Sequence, residues 1–203
     1  KPQARARALQ GRAADMGIVG IIVPNLMKPG VTVVVIHRGP AALLARRLNA
    51  VRTQEVPACR INLLVVEKQR TPAVVRLLNG FPLSSHLESG VNNDCLANNL
   101  AVRQSGTPYV ALIHDDCVVS PRWLGLLVAT LERDPRMAGC ILSHAGRLYR
   151  RKAYLSVGGM DEALLMDEDD ADLACRLKRS GWRLRRIPAA AAMHQPVAPW
   201  IQY

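Results

Sequence analysis

The segment Gly158–Trp182, GGMDEALLMDEDDADLACRLKRSGW, holds two groups of carboxylates a few residues apart. Asp161 and Glu162 follow a Gly-Gly pair. Asp167, Glu168, Asp169, Asp170 and Asp172 then crowd the start of a helix that continues through Leu173, Leu177 and Lys178. Negative charges at such spacing raise the free energy of the folded chain unless a cation or the helix N-terminus compensates. The chain as a whole carries a formal charge of +11, so this concentration of acid runs against its background. A second acidic set, His114-Asp115-Asp116, directly follows an aliphatic run upstream. Two carboxylate sets that converge on one crevice suit a hard divalent ion together with a general base. The ion would neutralise a diphosphate, and the base would deprotonate an acceptor hydroxyl.

Each feature also has a plain structural explanation. Asp115-Asp116 could end a strand in a turn, where Asp is common. Asp169 with Asp172 three residues on resembles a helix N-cap with an acidic N3 residue, favoured by the helix dipole. His194 is either a structural histidine or, from its place just after a strand, a third metal ligand.

The elements that must position these residues follow from hydrophobic patterning. Val31–Ile36 (VTVVVI) and Ile61–Val66 (INLLVV) are continuous, β-branched-rich apolar runs, which predict buried strands. Between them, Pro40–Val51 reads as a helix with two distinct faces. Pro72–Leu78 predicts a short helix ended by Asn79-Gly80, and residues 81–93 a loop. Asp94–Gln104 alternates at helical spacing, and Tyr109–Ile113 is a third strand that enters His114-Asp115-Asp116. Ser120-Pro121 predicts a helix start, with Ser as N-cap and Pro at the first helical position, running to about Arg133. Cys140–Ser143 and Arg147–Arg150 predict short strands, and Arg151–Val157 a helix ending at Gly158-Gly159. Asp169–Ser180 reads as a helix stopped by Gly181, and Arg183–Ile187 as the last strand. Strand–helix alternation of this kind implies an α/β domain with a mainly parallel central sheet flanked by helices. In such sheets ligands bind at the carboxyl ends of the strands, where His114-Asp115-Asp116 emerges and to which the acid-rich segment can return.

Composition bounds the rest. The chain has 203 residues, 49% of them hydrophobic and 21% charged, which fits one globular domain with room for a core. Cys59, Cys95, Cys117, Cys140 and Cys175 lie scattered with no C-x-x-C pair. That set argues for reduced, mostly buried thiols in a cytoplasmic setting and against zinc. Residues 1–30 form a basic extension around the apolar run Met16–Met27, which is shorter than the ~20 residues a membrane helix needs. A buried strand at Ile18–Val23 is expected there, with a membrane-contact segment as the alternative. The positive balance points to acidic partners such as nucleotide phosphates, anionic lipid headgroups or nucleic acid. Basic residues without interleaved aromatics weaken the case for a single-strand stacking platform.

From Val31 to about Gln195 these residues resemble the family 2 glycosyltransferases, which have the GT-A fold and move a sugar from a nucleotide donor. Val31–Ile36 looks like the first strand of the nucleotide-binding half. Asn98 sits where the family often carries Ala-Arg-Asn. YVALIHDDCVVSPRWL (Tyr109–Leu124) is similar to the segment that ends in a metal-binding D-x-D and continues to Pro-x-Trp-Leu. GGMDEALLMDEDDADLACRLKRSGW resembles Gly-Gly-Phe-Asp-Glu followed by Glu-Asp-x-Asp-Leu, an Arg and a Gly-Trp or Gly-Tyr. The resemblance implies Asp170 as general base beside Asp169, with Asp161 and Glu162 positioning the acceptor or the base. It implies Asp116 as principal ligand of Mn2+ or Mg2+, with His114 and His194 as further metal ligands. Donor binding falls on Ile36, His37, Glu67, Asn98 and Asp115, with UDP the first nucleotide expected. Here His37-Arg38-Gly39 replaces the family's Pro-Thr-Tyr-Asn, and Glu67-Lys68-Gln69-Arg70 its Asp-Asn-Gly-Ser. His114 occupies the first position of D-x-D.

The reading that follows is an inverting, metal-assisted sugar transferase in a domain spanning residues 31–203. Its acceptor hydroxyl would belong to a glycan, a lipid-linked sugar, a protein or a nucleic acid. The setting would be cytoplasmic, with peripheral contact at a membrane. The rival is a degenerate GT-A fold that binds a nucleotide or a partner without turnover. A pure nucleic-acid-binding protein is a third class, marked by steeply salt-dependent binding that needs neither donor nor metal.

Overall fold

The structure is a computed structural model that describes residues 30–56, 60–68, 70–83, 85–88, 93–113, 117–142, 146–164 and 169–187. The expected strand at Ile18–Val23 lies outside the described residues. The elements are β1 (Val31–His37), α1 (Ala41–Arg52), β2 (Ile61–Glu67), α2 (Pro72–Asn79), β3 (Ser85–Glu88), α3 (Asp94–Gln104) and β4 (Tyr109–Ile113). They continue with α4 (Trp123–Glu132), β5 (Met137–Leu142), β6 (Gly146–Arg150), α5 (Arg151–Ser156), α6 (Asp169–Arg179) and β7 (Arg183–Ile187).

One seven-stranded sheet in the order β3-β2-β1-β4-β6-β5-β7 organises the described residues. β3, β2, β1 and β4 pair in parallel, β6 runs antiparallel to both β4 and β5, and β7 is parallel to β5. β1 is buried along its whole length, as expected of a central strand covered by helices on both faces. Val31, Val33 and Val35 face one layer with Leu44, Leu48 and Val74, joined by Trp123, Leu124 and Leu127 of α4. Val34, together with Leu64 and Val66, faces the opposite layer with Ala97, Ala101, Tyr154, Leu173 and Leu177. The period-2 alternation of strand side chains thus splits one aliphatic run between two cores.

Four local devices fix the ends of these elements. Thr71 caps α2 by accepting from Val74 N at 3.3 Å, with Pro72 opening the helix. Asn93 caps α3 by accepting from Leu96 N at 2.9 Å. At the end of α6, Gly181 N donates to Lys178 O at 3.0 Å and Trp182 N to Leu177 O at 3.1 Å, closing a Schellman motif. At the amino-terminal edge of the parallel strands, Thr32 Oγ1, Ser105 Oγ and Thr107 Oγ1 form a buried hydroxyl triangle with sides of 2.8–2.9 Å, which ties the start of β1 to the turn before β4.

Three elements differ from the sequence expectation. Residues 81–93 contain β3, a short edge strand whose one apolar residue, Leu87, is buried. So polar a segment carries no strand period of its own; pairing with β2 supplies it. α4 begins at Trp123, three residues after Ser120, with Arg122 at the N-cap position and no side-chain cap from it. The Ser120 backbone carbonyl accepts the Trp123 N–H at 3.1 Å, and Gln54 Oε1 accepts the Leu124 N–H at 2.9 Å. β5 starts at Met137, earlier than the expected Cys140, because its first residues pair with β7 across a bulge at Met137/Gly139.

Among the described thiols, Cys95, Cys117 and Cys140 are buried, as expected, whereas Cys175 is exposed on α6. Burial pushes the Cys140 thiol up to about 11. The thiolate is the reactive form, so iodoacetamide at pH 8 is expected to modify Cys175 in the native protein and Cys140 only after unfolding. Peptide mapping after a timed quench checks this; equal labelling of both would contradict the burial of β5.

Candidate active site

Strand order locates the site before any side chain is considered. β2 and β3 extend the sheet to one side of β1, and β4 lies on the other, so the order reverses between β1 and β4. A crevice opens at the carboxyl ends of parallel strands where the order reverses in this way. His37 ends β1 and is paired in register with Glu67, which ends β2. β4 leaves the same edge at Ile113, immediately before His114. β6 is antiparallel, so its first residues belong to this edge too, with Arg147 paired to Leu112 of β4.

The edge formed by β1 and β2 is rich in paired polar groups. His37 is fully buried, with Nε2 2.9 Å from Gly39 O. Glu67 is 2% exposed; its Oε2 lies 3.1 Å from His86 Nε2 on β3, and its Oε1 has no hydrogen-bond partner among the described residues. A buried carboxylate oxygen without a donor is costly and is what a ligand N–H would satisfy. Lys68, just beyond, is ion-paired with Asp94 in the first turn of α3, and Arg38 lies 3.7 Å from the same carboxylate. Ile36 is buried in the layer with Val34 and Val66.

The Gly158-Gly159 turn and the acids after it are held by α3. Asn99 is 1% exposed and uses its amide in full: Oδ1 accepts from Tyr154 Oη at 2.7 Å and Met160 N at 2.9 Å, while Nδ2 donates to Met160 O and Glu162 Oε1, each at 2.9 Å. Gly159 has φ +77°, and a Cβ there would lie 2.9 Å from the Tyr154 ring and against the Asn99 side chain. Only glycine lets the backbone pass this close. Burial pushes the Tyr154 phenol well above its ordinary range, which keeps it a neutral donor to Asn99. Asn93 reaches the same loop, donating from Nδ2 to Glu162 O at 2.8 Å.

Glu162 therefore turns toward α3, with Arg103 a further 3.6 Å from its Oε1. Asp161 accepts from Ala163 N at 3.1 Å. Arg176 ties the loop to α6: Nη1 donates to Val157 O and Gly159 O at 2.7 and 2.6 Å, and Nε to Asp172 Oδ2 at 2.7 Å. Asp172 is thus paired one helical turn along, and Asp170 takes a different arginine. This second arginine is Arg147, whose Nη2 is ion-paired with Oδ2 of Asp170. Among the described acids, Arg103, Arg147 and Arg176 supply cations for Glu162, Asp170 and Asp172, and the N-terminus of α6 favours the negative charge in its first turn.

The structure thus brings Asp170 to the edge where β4 leaves the sheet, and places Asp161 and Glu162 in a loop braced by α3. Asp169 opens α6. Asn98 is buried, with Nδ2 3.6 Å from the Met160 thioether. His114, Asp115, Asp116 and His194 lie outside the described residues. Sequence reasoning missed Asn99 and Arg147. Asn99 was legible from register, since Ala97-Asn98-Asn99 aligns with Ala-Arg-Asn at its third position. Arg147 carries no signal in sequence.

A model of glycosyl transferase family 2 matches residues 32–176. The chain belongs to that family. The match spans the described candidate residues from Ile36 to Asp170. Among curated relatives, the N-acetylglucosaminyl-diphospho-decaprenol L-rhamnosyltransferase of Mycobacterium tuberculosis is 41% identical over 64 residues. That alignment spans 32% of this chain and 20% of the relative's length. Among solved structures, the mannosyltransferase PcManGT from Pyrobaculum calidifontis, in complex with GDP-Man and Mn2+, matches with a TM-score of 0.72. It is 18% identical and covers 98% of this chain and 67% of that one. S. aureus TarS 1–349 in complex with UDP matches with a TM-score of 0.64 and 14% identity, covering 82% of this chain and 59% of that one. The fold of this family 2 member is GT-A, with the mixed sheet described above. No helix among the described residues is long and apolar enough to cross a membrane.

Proposed function

We propose that this family 2 domain, residues 31–203 with a basic extension before it, is an inverting glycosyltransferase that uses a nucleoside diphosphate sugar. The observation that carries the reading is the seating of Asp170 on Arg147 at the edge where β4 runs into His114-Asp115-Asp116. Asp170 takes the proton from the acceptor hydroxyl as its oxygen attacks the anomeric carbon. The new glycosidic C–O bond forms as the bond from that carbon to the diphosphate oxygen breaks, and the electron pair leaves with the diphosphate. Attack opposite the leaving group inverts the anomeric centre. Asp161 and Glu162 set the loop in front of α6, with Asp169 beside the base.

Glu67 Oε1 would accept an N–H of the bound nucleotide, and His37, Ile36, Asn98 and Asp115 would complete the donor site. Asp116, with His114 and His194, would hold Mn2+ or Mg2+; a set of one carboxylate with imidazoles suits Mn2+ better. When bound, the ion stabilises the charge of the departing diphosphate. Similarity to a rhamnosyltransferase named for a diphospho-decaprenol acceptor favours a lipid-linked sugar as acceptor, with the domain at a membrane surface. A mannosyltransferase bound to GDP-Man and Mn2+ and TarS bound to UDP support a nucleotide-sugar donor with a divalent ion.

Calorimetry with UDP, GDP, CDP and dTDP, with and without Mn2+, is expected to show metal-dependent binding of one diphosphate. Asp116→Ala is expected to abolish the metal dependence. Failure of every diphosphate to bind the folded chain would support the degenerate-fold reading instead.

A further inference from the structure

We propose that Arg147 is a positioning residue for the reaction, fixing the carboxylate of Asp170 in the orientation from which it takes the acceptor proton. The inference rests on the base assignment made above and adds the group that aims the base.

Three observations carry it. First, topology puts Arg147 where it is. β6 is the only strand among the described residues that runs antiparallel to its neighbours on both sides, so its second residue reaches the carboxyl edge of the sheet. The residue before it has no room for a side chain: a Cβ at Gly146 would lie 2.8 Å from Trp123 Cζ2 and 3.0 Å from Leu112 O. Gly146 thereby lets β6 start flush against β4. Second, the two partners differ in exposure. The Arg147 side chain is 10% exposed and that of Asp170 27%. A guanidinium is expensive to bury and is held in place by its anchored strand; the carboxylate, less buried, sits on the first turn of a helix. The arginine is the fixed member and the acid the member being held.

Third, the backbone of α6 is positioned by other means. Arg176 clamps the helix to Val157 O and Gly159 O and pairs with Asp172, and the Schellman motif closes its far end. With the helix already anchored, the added effect of Arg147 falls on the side-chain torsions of Asp170. Orientation of a reacting group at this level governs rate more than donor binding.

The test uses the purified chain, with release of UDP, GDP or dTDP from UDP-glucose, GDP-mannose and dTDP-rhamnose as probe and water as acceptor. Arg147→Met is expected to lower kcat about tenfold or more while donor KM stays within about twofold. Arg147→Lys, which keeps the charge and loses the planar fork, is expected to fall between wild type and Met. In an Asp170→Asn background, Arg147→Met is expected to cause no further loss, because the group it aims is gone. Should Arg147→Met fail to fold, Arg147→Gln carries the same expectations.

A folded Arg147→Met or Arg147→Gln with wild-type kcat overturns the inference. So does a loss that multiplies in full with Asp170→Asn, which would mark a separate or purely structural role. In both outcomes the base assignment stands if Asp170→Asn alone is inactive. An Asp170→Asn protein with undiminished kcat removes the base assignment and the inference together.

Discussion

Asp170→Asn is expected to lower sugar transfer by about 10²–10⁴-fold, the range for loss of a positioned general base. The substitution keeps the shape of the side chain and removes the oxygen that accepts the proton. Diphosphate binding in the presence of Mn2+ is expected to stay within about twofold of wild type, since the loss falls on kcat. The near-isosteric amide still offers an oxygen to Arg147, so the fold should survive, and circular dichroism with a melting curve would verify that. Asp172→Asn is the instructive control: that carboxylate is engaged by Arg176 one turn along the same helix. Its loss is expected to cost stability and little rate, roughly 0.5 kcal/mol for an i,i+4 pair. Equal losses of kcat in the two variants would sink the assignment of the base to Asp170.

Asn99→Ala is expected to cost about 3–5 kcal/mol of stability, since four hydrogen bonds, three of them buried, are lost at once. The Met160 N–H and C=O, the Tyr154 hydroxyl and Glu162 Oε1 would each lose a partner at a site that is 1% exposed. In a domain of this size that corresponds to a fall in Tm of roughly 10 °C or more. Asn98→Ala is expected to cost about 1 kcal/mol or less, because its described contact is to a thioether, a weak acceptor. Urea denaturation of the two variants side by side decides which asparagine holds the Gly158–Glu162 loop. A larger loss in Asn98→Ala would shift that role one residue along α3.

The expected paths of the strands and helices were legible because their signals are local. VTVVVI and INLLVV can bury both faces only in the middle of a layered sheet. The helix beginning at Asp94 and the strand Tyr109–Ile113 were recognisable to the residue, since capping, periodicity and turn residues act within a few positions. β3 was not, because a strand with one buried apolar residue owes its pairing to β2 alone. The start of α4 departs from its sequence signal for a related reason: Ser120-Pro121 has the composition of a cap, but the group that accepts the Leu124 N–H is Gln54, which lies 70 residues away in sequence.

Of the candidate site, the sequence by itself determined the acids, their spacing and the family they belong to. Carboxylates concentrated in a basic chain need compensation, and Gly-Gly before Asp-Glu needs a tight turn; both demands are visible without coordinates. Tertiary structure decided which cation meets which acid. It gave Asp172 to Arg176, Glu162 to Arg103, and Asp170 to Arg147. The last pairing exists because β6 enters the sheet antiparallel and so begins at the edge where its neighbours end. Strand direction is set by the packing of the whole sheet, and no residue near Arg147 announces it.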